Sequence, residues 1–400
     1  MRRRLSDSAL LAAFAGMLSL ATAMGIGRFV YTPILPSMID SGALDASEAG
    51  LVAGANFLGY LLGALTASAG FFAPRRRTWL FLALGGSAAT TAAMALSGGL
   101  AAFIVLRFLS GVLSAFAFIF ITAIVLAKLA AERREPLIAL HFGGVGAGIA
   151  GSAVLVSLMV AHGAPWRELW FAAGLAAFVA FALVALLLPA TERETVPVRR
   201  VKGTGSASRL PLAVFIVSYG FFGFGYVITA TFINAMAKSE PALAGVEPYV
   251  WVMLGLAGIP SIWFWNMTTA RLGVIGAYAL ACAVEAVGVA LSVTILSPVI
   301  LLVSAALLGG TFIAATSLGL ARARLMTPEN PAGTIALMTA SFGLGQMIGP
   351  VVAGILFERM GDLALASWIA VAALVASAGL ALLTRRMLRA APSLGGVGPG

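Results

Sequence analysis

Twelve long stretches of the chain are almost free of charged side chains, and this pattern limits the fold more than any other feature. They cover residues 8–37, 48–72, 78–97, 100–128, 136–161, 167–189, 210–237, 247–269, 272–295, 298–323, 331–357 and 363–384. About 20 apolar residues of helix cross the hydrocarbon core of a bilayer. Lipid offers no partners to backbone polar groups, so each stretch must be helical. We call these stretches spans 1 to 12 and predict an all-α membrane protein.

The composition excludes a soluble fold. Of the 400 residues, 61% are hydrophobic and only 10% are charged, whereas about 25% of the residues in a soluble domain are charged. The start of the chain, MRRRLSDSALLAAFAG, has the basic residues of a signal peptide. Its apolar stretch continues far beyond the usual length without a convincing cleavage site, so we predict that it is retained as span 1.

Side chains that bind metals or catalyse reactions are scarce. The single cysteine, Cys282, excludes a disulfide framework, and the two histidines, His141 and His162, lie in different segments. This set cannot form a zinc site. The sequence also lacks the GxxxxGK[ST] loop that binds nucleotide phosphates. We therefore expect no metal, no cofactor and no enzymatic activity; a membrane-embedded enzyme, the competing class, would need clustered catalytic groups.

Positive charge is distributed unevenly along the chain. If the amino terminus is placed inside, 20 of the 25 Lys and Arg residues fall in inner segments and three in outer loops. Two more, Arg28 and Arg107, lie within spans. Loops rich in Lys and Arg stay in the cytoplasm, so we expect both termini to be cytoplasmic. The net charge of +10 then reflects membrane topology, and we expect no nucleic-acid partner.

The longest polar segment divides the chain near its middle. TERETVPVRRVKGTGSASRL is charged and contains glycine and serine, as linkers do. We predict an amino-terminal six-helix bundle over 1–190, a cytoplasmic linker over 191–209 and a carboxyl-terminal six-helix bundle over 210–386. The remaining residues, 387–400, have little apolar surface to bury, and we predict a disordered tail.

Three short motifs recur in the second half at offsets of 198 to 200 residues. They pair GIG at Gly25–Gly27 with GFG at Gly223–Gly225, LSG ending at Gly111 with LGG ending at Gly310, and HFG at His141–Gly143 with SFG at Ser341–Gly343. Six spans separate each pair, so the two halves have the same orientation in the membrane. Parallel repeats of six helices are known in transporters.

The whole chain resembles the major facilitator superfamily. RFLSG, Arg107–Gly111, matches the fourth-span signature of that superfamily, in which Arg precedes Gly by four residues. GIGRFVYTPILPSM, which begins at Gly25, is similar to the first span of the YbfB/YjiJ-type branch of bacterial inner-membrane proteins. The resemblance implies twelve transmembrane helices in two parallel six-helix bundles. It also implies alternating access around a cavity that spans 1, 4, 7 and 10 line.

The two arginines within spans are the leading candidates for substrate contacts. Helical spacing places Met24, Arg28, Tyr31, Thr32 and Leu35 on one face of span 1, and Arg107, Ser110, Gly111 and Ser114 on one face of span 4. Both arginines fall in the outer half at comparable depth.

A charge at the membrane centre costs ~2.5–3.5 kcal/mol, so a function for Arg28 and Arg107 is expected. Guanidinium groups bind carboxylates with two parallel hydrogen bonds. We predict that both arginines face a wet vestibule that accepts an anionic or carboxylate-bearing solute. The alternative for Arg28 is a pairing with backbone carbonyls freed near Pro33 and Pro36, or a side chain that extends to the outer surface.

Other polar side chains on inward faces complete the predicted substrate cavity. They are Asn56, Tyr60, Tyr219, Tyr226, Asn234 and Gln346. Ordinary hydrogen bonds between helices are the alternative for this group.

Glu285 and His141 are the candidates for proton coupling. Glu285 is the only carboxylate deep within a span, and burial in lipid favours a neutral carboxyl that can carry a proton. Structural burial is the alternative, since the resemblance places span 9 at the periphery. His141 begins span 5, and histidine titrates in the physiological range; an interfacial position is its alternative.

We therefore expect a monomeric secondary transporter of the bacterial inner membrane, with a small molecule and the lipid bilayer as partners. Proton-coupled efflux of a small organic solute is the first expectation, and efflux is preferred to uptake because the resemblance to the superfamily implies it. Uptake or facilitated passage of a sugar or organic acid is the alternative, and a channel or membrane scaffold is more remote.

Overall fold

The computed structural model describes residues 2–68, 70–188, 210–327 and 331–390. These residues form long helices with short connections, and no β-strand occurs in these ranges. The predicted linker, 191–209, and most of the predicted tail lie outside the described residues.

The helices follow the predicted spans. Span 1 consists of an α-helix, Arg2–Leu20, a π-helix, Ala21–Ile26, and a second α-helix, Tyr31–Asp40. Spans 2 to 7 are Ala46–Ala67, Arg76–Ala93, Leu100–Ala131, Ile138–Ala161, Trp166–Leu187 and Leu210–Ser239. Span 8 starts as Glu247–Gly258 and continues into Ser261–Thr294, which also contains span 9. Spans 10 to 12 are Pro298–Met326, Pro331–Met360 and Ala364–Ala390. Short 3₁₀ turns occupy Gly70–Arg75, Met94–Leu96, Glu135–Leu137 and Ala244–Val246.

Eleven of these segments are long and apolar enough to cross a membrane within the described ranges, and the twelfth crossing starts with the short helix Glu247–Gly258. The main chain of Leu254 packs against Gly309 of span 10, and Gly258 packs against Ile313. The residue numbers on the two helices increase together, so Glu247–Gly258 runs parallel to span 10.

The later part of Ser261–Thr294 runs the other way. The Ser304 hydroxyl donates to the carbonyl of Gly288 at 2.6 Å, and the Thr311 hydroxyl donates to Glu285 at 3.0 Å. Here the residue numbers on the two helices change in opposite directions. The chain therefore reverses between these contacts, and Gly273, with φ of 70°, supplies a backbone conformation that favours glycine. Twelve crossings result, and both described ends lie on the same side.

The two six-helix bundles meet along spans 2 and 11 and along spans 5 and 8. A Cβ atom added at Gly54 would lie 3.0 Å from the carbonyl oxygen of Met347, and one added at Gly146 would lie 2.6 Å from that of Gly255. Small residues let helix backbones approach closely in a membrane. Other glycines of spans 5 and 11 pack within their own bundle, as Gly148 does against Ala21.

The predicted end of span 12 is too early. The helix continues to Ala390, whereas we predicted that it ends at 384 and that a disordered tail starts at 387. Long arginine side chains can lie along an apolar surface with their charge in the aqueous layer. The helix thus continues through Arg385, Arg386 and Arg389 beyond its apolar stretch, since arginine is a good helix former.

Candidate functional site

Span 1 loses its α-helical geometry halfway along. The N–H groups of Gly27 and Phe29 bond to carbonyls five residues earlier, at 2.8 and 3.0 Å, and residues 27–30 form turns. Glycine is a poor helix former, and Pro33 and Pro36 bring no N–H to the helix that follows. The spacing of 3.6 residues per turn does not hold across this break, so the predicted face through residues 24, 28, 31, 32 and 35 is only partly kept: Arg28, Tyr31 and Thr32 line one cavity, and Met24 and Leu35 do not line it.

Arg107 of span 4 binds the broken segment. Its Nη1 donates to the carbonyl of Gly27 at 2.8 Å, and its Nη2 donates to the carbonyl of Arg28 at 2.7 Å. The Ser110 hydroxyl adds a bond of 2.8 Å to Gly27. Backbone groups without partners are costly in a membrane. Arg107 therefore takes the role that we considered as the alternative for Arg28: it satisfies carbonyls freed by the break.

The surroundings of Arg107 fix its position. Asn56 of span 2 donates from Nδ2 to the Arg107 carbonyl at 2.9 Å. The centres of the Tyr31 and Trp170 rings lie 5.2 and 5.7 Å from the guanidinium carbon, within cation–π range. Asn56, predicted as a cavity residue, thus supports span 4, and Tyr31 stacks within the amino-terminal bundle and donates to the carbonyl of Ala49 at 3.0 Å.

Arg28 points toward the other bundle. Its side chain is buried, with 4% exposed, and its Nη2 donates to Oε1 of Gln346 on span 11 at 2.9 Å. The Gln346 amide in turn donates to the hydroxyl of Tyr226 on span 7. The Nε of Arg28 has no protein partner within the described part of the chain. Three predicted residues from three spans thus form one hydrogen-bonded chain between the bundles.

Aromatic rings surround the Arg28 guanidinium. Its central carbon lies 3.9 Å from the Tyr60 ring centre, 4.7 Å from that of Phe57 and 5.4 Å from that of Phe29. Such contacts contribute up to about 2 kcal/mol when they are desolvated. These rings partly replace the water that a charged group loses on burial, so Arg28 remains in the interior without an acidic partner among the described residues.

A small cavity lies between the two arginines. Its lining consists of Arg28, Phe29, Tyr31, Thr32, Ala53, Phe57, Arg107, Ala230 and Thr231. Its volume is about 10 Å³, about the space that one water molecule needs. The predicted open vestibule is therefore wrong for this conformation, although four predicted residues do share the cavity. Thr32 crosses to the other bundle, donating to the Ala230 carbonyl at 2.8 Å.

Three other predicted cavity residues form hydrogen bonds within their own bundle. The Ser114 hydroxyl donates to Gly111 on its own helix at 2.8 Å, and the Tyr219 hydroxyl donates to the carbonyl of Thr316 at 3.0 Å. Asn234 donates to the carboxylate of Glu247 at 2.6 Å. None of the three lines the small cavity.

The two proton-coupling candidates are both buried. Glu285 is 0% exposed; one of its oxygens accepts from Thr311, and the other has no partner in the described ranges. His141 is 0% exposed as well. Its Nε2 lies 3.2 Å from the Thr122 hydroxyl, and a Cβ at Gly16 would collide with its ring.

Sequence reasoning missed the aromatic residues around the site. Phe312 of span 10 and Phe342 of span 11 stack on Tyr226, with ring centres 5.7 and 5.8 Å away. Phe29 meets Phe312 edge-on at 5.9 Å. A phenylalanine in a span carries no polar group that distinguishes an inward-facing ring from a lipid-facing one. The one sequence signal is that Phe29 and Phe57 adjoin predicted residues.

No group of three His, Cys, Asp or Glu residues able to hold a metal ion occurs within the described ranges. The residues assembled here can instead bind an anion at a guanidinium and a planar or apolar body among rings.

Comparison with known proteins gives the family context. The profile of one family, described as "Uncharacterised MFS-type transporter YbfB", matches residues 20–382. The structure is similar to the nucleoside transporter NupG (D323A mutant), with 15% identity over 94% of this chain and 99% of that chain and a TM-score of 0.71. It is also similar to a bacterial homolog of the human lysosomal transporter Spinster, inward-facing and unoccupied, with 14% identity, coverage of 95% and 97%, and a TM-score of 0.71. At this identity the two likenesses show the fold alone. The search of curated protein sequences gave no match.

Proposed function

The chain belongs to the YbfB-type family of major facilitator superfamily transporters, and we propose that it moves a small organic anion across the bacterial inner membrane by alternating access. The observation that carries the anionic part is Arg28, a buried guanidinium with an unpartnered Nε and no acidic neighbour among the described residues. A substrate carboxylate would replace the neutral Gln346 oxygen as its hydrogen-bond acceptor, because charged acceptors form stronger bonds.

The rings around Arg28 and Tyr226 support a substrate with a planar or apolar body. Tyr60 covers the guanidinium, while Phe312 and Phe342 cover Tyr226. Separation of the bundles would expose these rings together with Arg28 and Gln346. We infer that the preferred solute combines one carboxylate with an aromatic or other flat apolar group.

Contacts at the outer end support alternating access. Lys238 and Asp40 form an ion pair between spans 7 and 1, and the N–H of Ala46 donates to Glu358 at 3.2 Å. Both join the two bundles, as does the bond from Thr32 to Ala230. The outer side is thus closed in this conformation, if the amino terminus is cytoplasmic as the charge distribution indicates.

The inner part of span 7 has more exposed side chains than its outer part. Val217 and Phe221 are 49% and 42% exposed. They lie on the face opposite Tyr219, which packs on Gly319 of its own bundle. We propose that 1–190 and 210–390 rock against each other about the linker 191–209, as alternating access requires, and that one chain is the working unit, since the site comes from one chain.

Binding to purified protein tests the anionic substrate. A thermal-shift screen would compare aromatic carboxylates with their amides, aliphatic acids and sugars, because a ligand of the folded state raises the melting temperature. We expect the acids to stabilise the wild type and Arg28→Ala to weaken binding at least about tenfold, given the strength of charge-assisted bonds. Arg359→Ala, an exposed arginine at the outer end of span 11, is the matched control.

Flux in proteoliposomes tests the transport mechanism. Saturable solute flux with counterflow supports alternating access. The direction of net flux distinguishes efflux from uptake, and we propose efflux because it is common in the superfamily. Ion conductance without saturable flux contradicts the transporter and indicates a channel. Binding of neutral solutes that is insensitive to Arg28 contradicts the anionic substrate.

A further inference from the structure

A second positively charged pocket lies at the inner end of the carboxyl-terminal bundle. Four arginines line it: Arg271 at the end of span 8, Arg322 at the end of span 10, and Arg385 and Arg389 at the end of span 12. The pocket has a volume of about 330 Å³. It shares no lining residue with the cavity at Arg28.

The arginines in this pocket have no acidic partner in the described part of the chain. Neither of the two ion pairs found there, Lys128 with Glu132 and Asp40 with Lys238, includes them. The Nε of Arg322 is buried without a hydrogen-bond partner. Like charges that converge on one pocket repel each other, and a buried donor without an acceptor costs free energy. A bound anion would relieve both costs.

The backbone at the reversal adds to the positive potential. The helix of span 9 restarts after Gly273, and its first turn, Val274–Gly276, lines the same pocket. The first N–H groups of a helix have no partner within that helix, and a helix amino terminus favours anions. Gly276 also leaves space for an arginine, since a Cβ added there would lie 3.2 Å from Nη1 of Arg385.

We propose that this pocket binds a phosphate-bearing anion. Arginine is suited to phosphate because its planar donors form paired bonds to two oxygens. The pocket lies where span ends meet the membrane surface, and basic pockets between transmembrane helices bind anionic headgroups. The phosphate comes either from a lipid headgroup or from a soluble phosphate, and the test separates these sources.

The test uses purified full-length protein and two matched variant pairs. Arg385→Gln removes a pocket arginine, whereas Arg386→Gln removes its sequence neighbour, which does not line the pocket. Arg322→Gln and Arg324→Gln form the second pair, and it replaces the first if Arg385→Gln aggregates. Both members of a pair change the net charge equally.

Each source has its own probe. Sodium phosphate, titrated against sodium chloride at equal ionic strength in detergent, probes the free anion through the melting temperature. Phosphatidylglycerol in nanodiscs, compared with phosphatidylcholine, probes the lipid through native mass spectrometry and the melting temperature. With at least one probe we expect saturable stabilisation of the wild type and the control variants. We expect a roughly tenfold weaker response in Arg385→Gln and Arg322→Gln, since one charge-assisted bond is lost. Equal responses within both pairs, with both probes, would overturn the site.

Discussion

Nη2 of Arg107 donates to the main-chain carbonyl of Arg28 at 2.7 Å, so one buried arginine holds the backbone segment that presents the other. The two guanidinium groups therefore differ in role despite their similar depth. Arg107 has both Nη groups on span 1, whereas Arg28 reaches across to Gln346 of the opposite bundle.

Replacement of Arg107 should reduce stability as well as transport. An ammonium group cannot span the two carbonyls, and Ser110 bonds only that of Gly27, so Arg107→Lys loses one hydrogen bond from a charged donor, worth about 1.5–3 kcal/mol. We expect a lower melting temperature and little flux. Arg28→Lys should keep the melting temperature near that of the wild type and lose substrate affinity. Similar melting curves for the Arg107→Lys variant and the wild type would contradict the assignment.

Gln346 should control how readily the bundles separate. In Gln346→Glu, a carboxylate replaces the amide oxygen as the acceptor for Arg28, and this charge-assisted hydrogen bond is stronger. We expect solute exchange to become roughly tenfold slower, because the bundles must break this bond to separate. The readout is solute exchange in proteoliposomes at saturating substrate. Tyr226→Phe removes only the hydroxyl to which the Gln346 amide donates, so its effect should be milder. An exchange rate equal to that of the wild type would show that the Arg28–Gln346 contact does not limit transport.

Gly146 should set the stability of the closed interface between spans 5 and 8. A Cβ there would lie 2.6 Å from the Gly255 carbonyl oxygen, whereas a Cβ at Gly151 on the same helix meets no atom within 4 Å. Gly146→Ala should favour the open interface and raise the labelling of a reporter cysteine at Thr231 by an outer reagent. Gly151→Ala should not. The native cysteine, Cys282, is buried, so it should contribute little labelling of its own. Equal labelling in the two variants would contradict this prediction.

Glu285 should carry the coupling proton if transport is proton-driven. Glu285→Gln keeps an acceptor for Thr311 but cannot titrate, so we expect solute exchange to persist while a pH gradient no longer drives accumulation. Tyr226 and Cys282 are the titratable groups within electrostatic range. Glu247→Gln, a change of the carboxylate bound by Asn234, is the control. If a pH gradient still drives accumulation in Glu285→Gln, this residue does not carry the proton and has a packing role instead.

Asp45 should make stability depend on pH below neutrality. It caps span 2 and accepts from the N–H of Glu48 at 2.7 Å, and this bond holds the pKa of Asp45 below its ordinary value. A lowered folded-state pKa gives stability above the unfolded pKa that is lost as pH falls through the folded pKa. Asp45→Asn should keep the cap and flatten this acidic loss, while Asp45→Ala should cost about 1 kcal/mol at neutral pH. Melting temperatures between pH 3 and pH 7 measure both; parallel curves for Asp45→Asn and the wild type would refute the assignment.

The sequence by itself determined the helical class, the places of the twelve spans and the presence of two arginines in the interior. Hydropathy is a local property, and in lipid a single apolar segment can pair its own backbone N–H and C=O groups only as a helix. The arginine depths followed from counting residues along helices at 1.5 Å per residue.

Only the tertiary structure decided which arginine binds the backbone of span 1. Arg107 binds the carbonyls of Gly27 and Arg28 because span 1 breaks there, and a break of this kind removes the periodicity from which faces are predicted. The pairing of Arg28 with Gln346 joins residues 318 positions apart, and no local pattern specifies such a partner. The pocket beside Gly273 likewise depends on contacts among several helices.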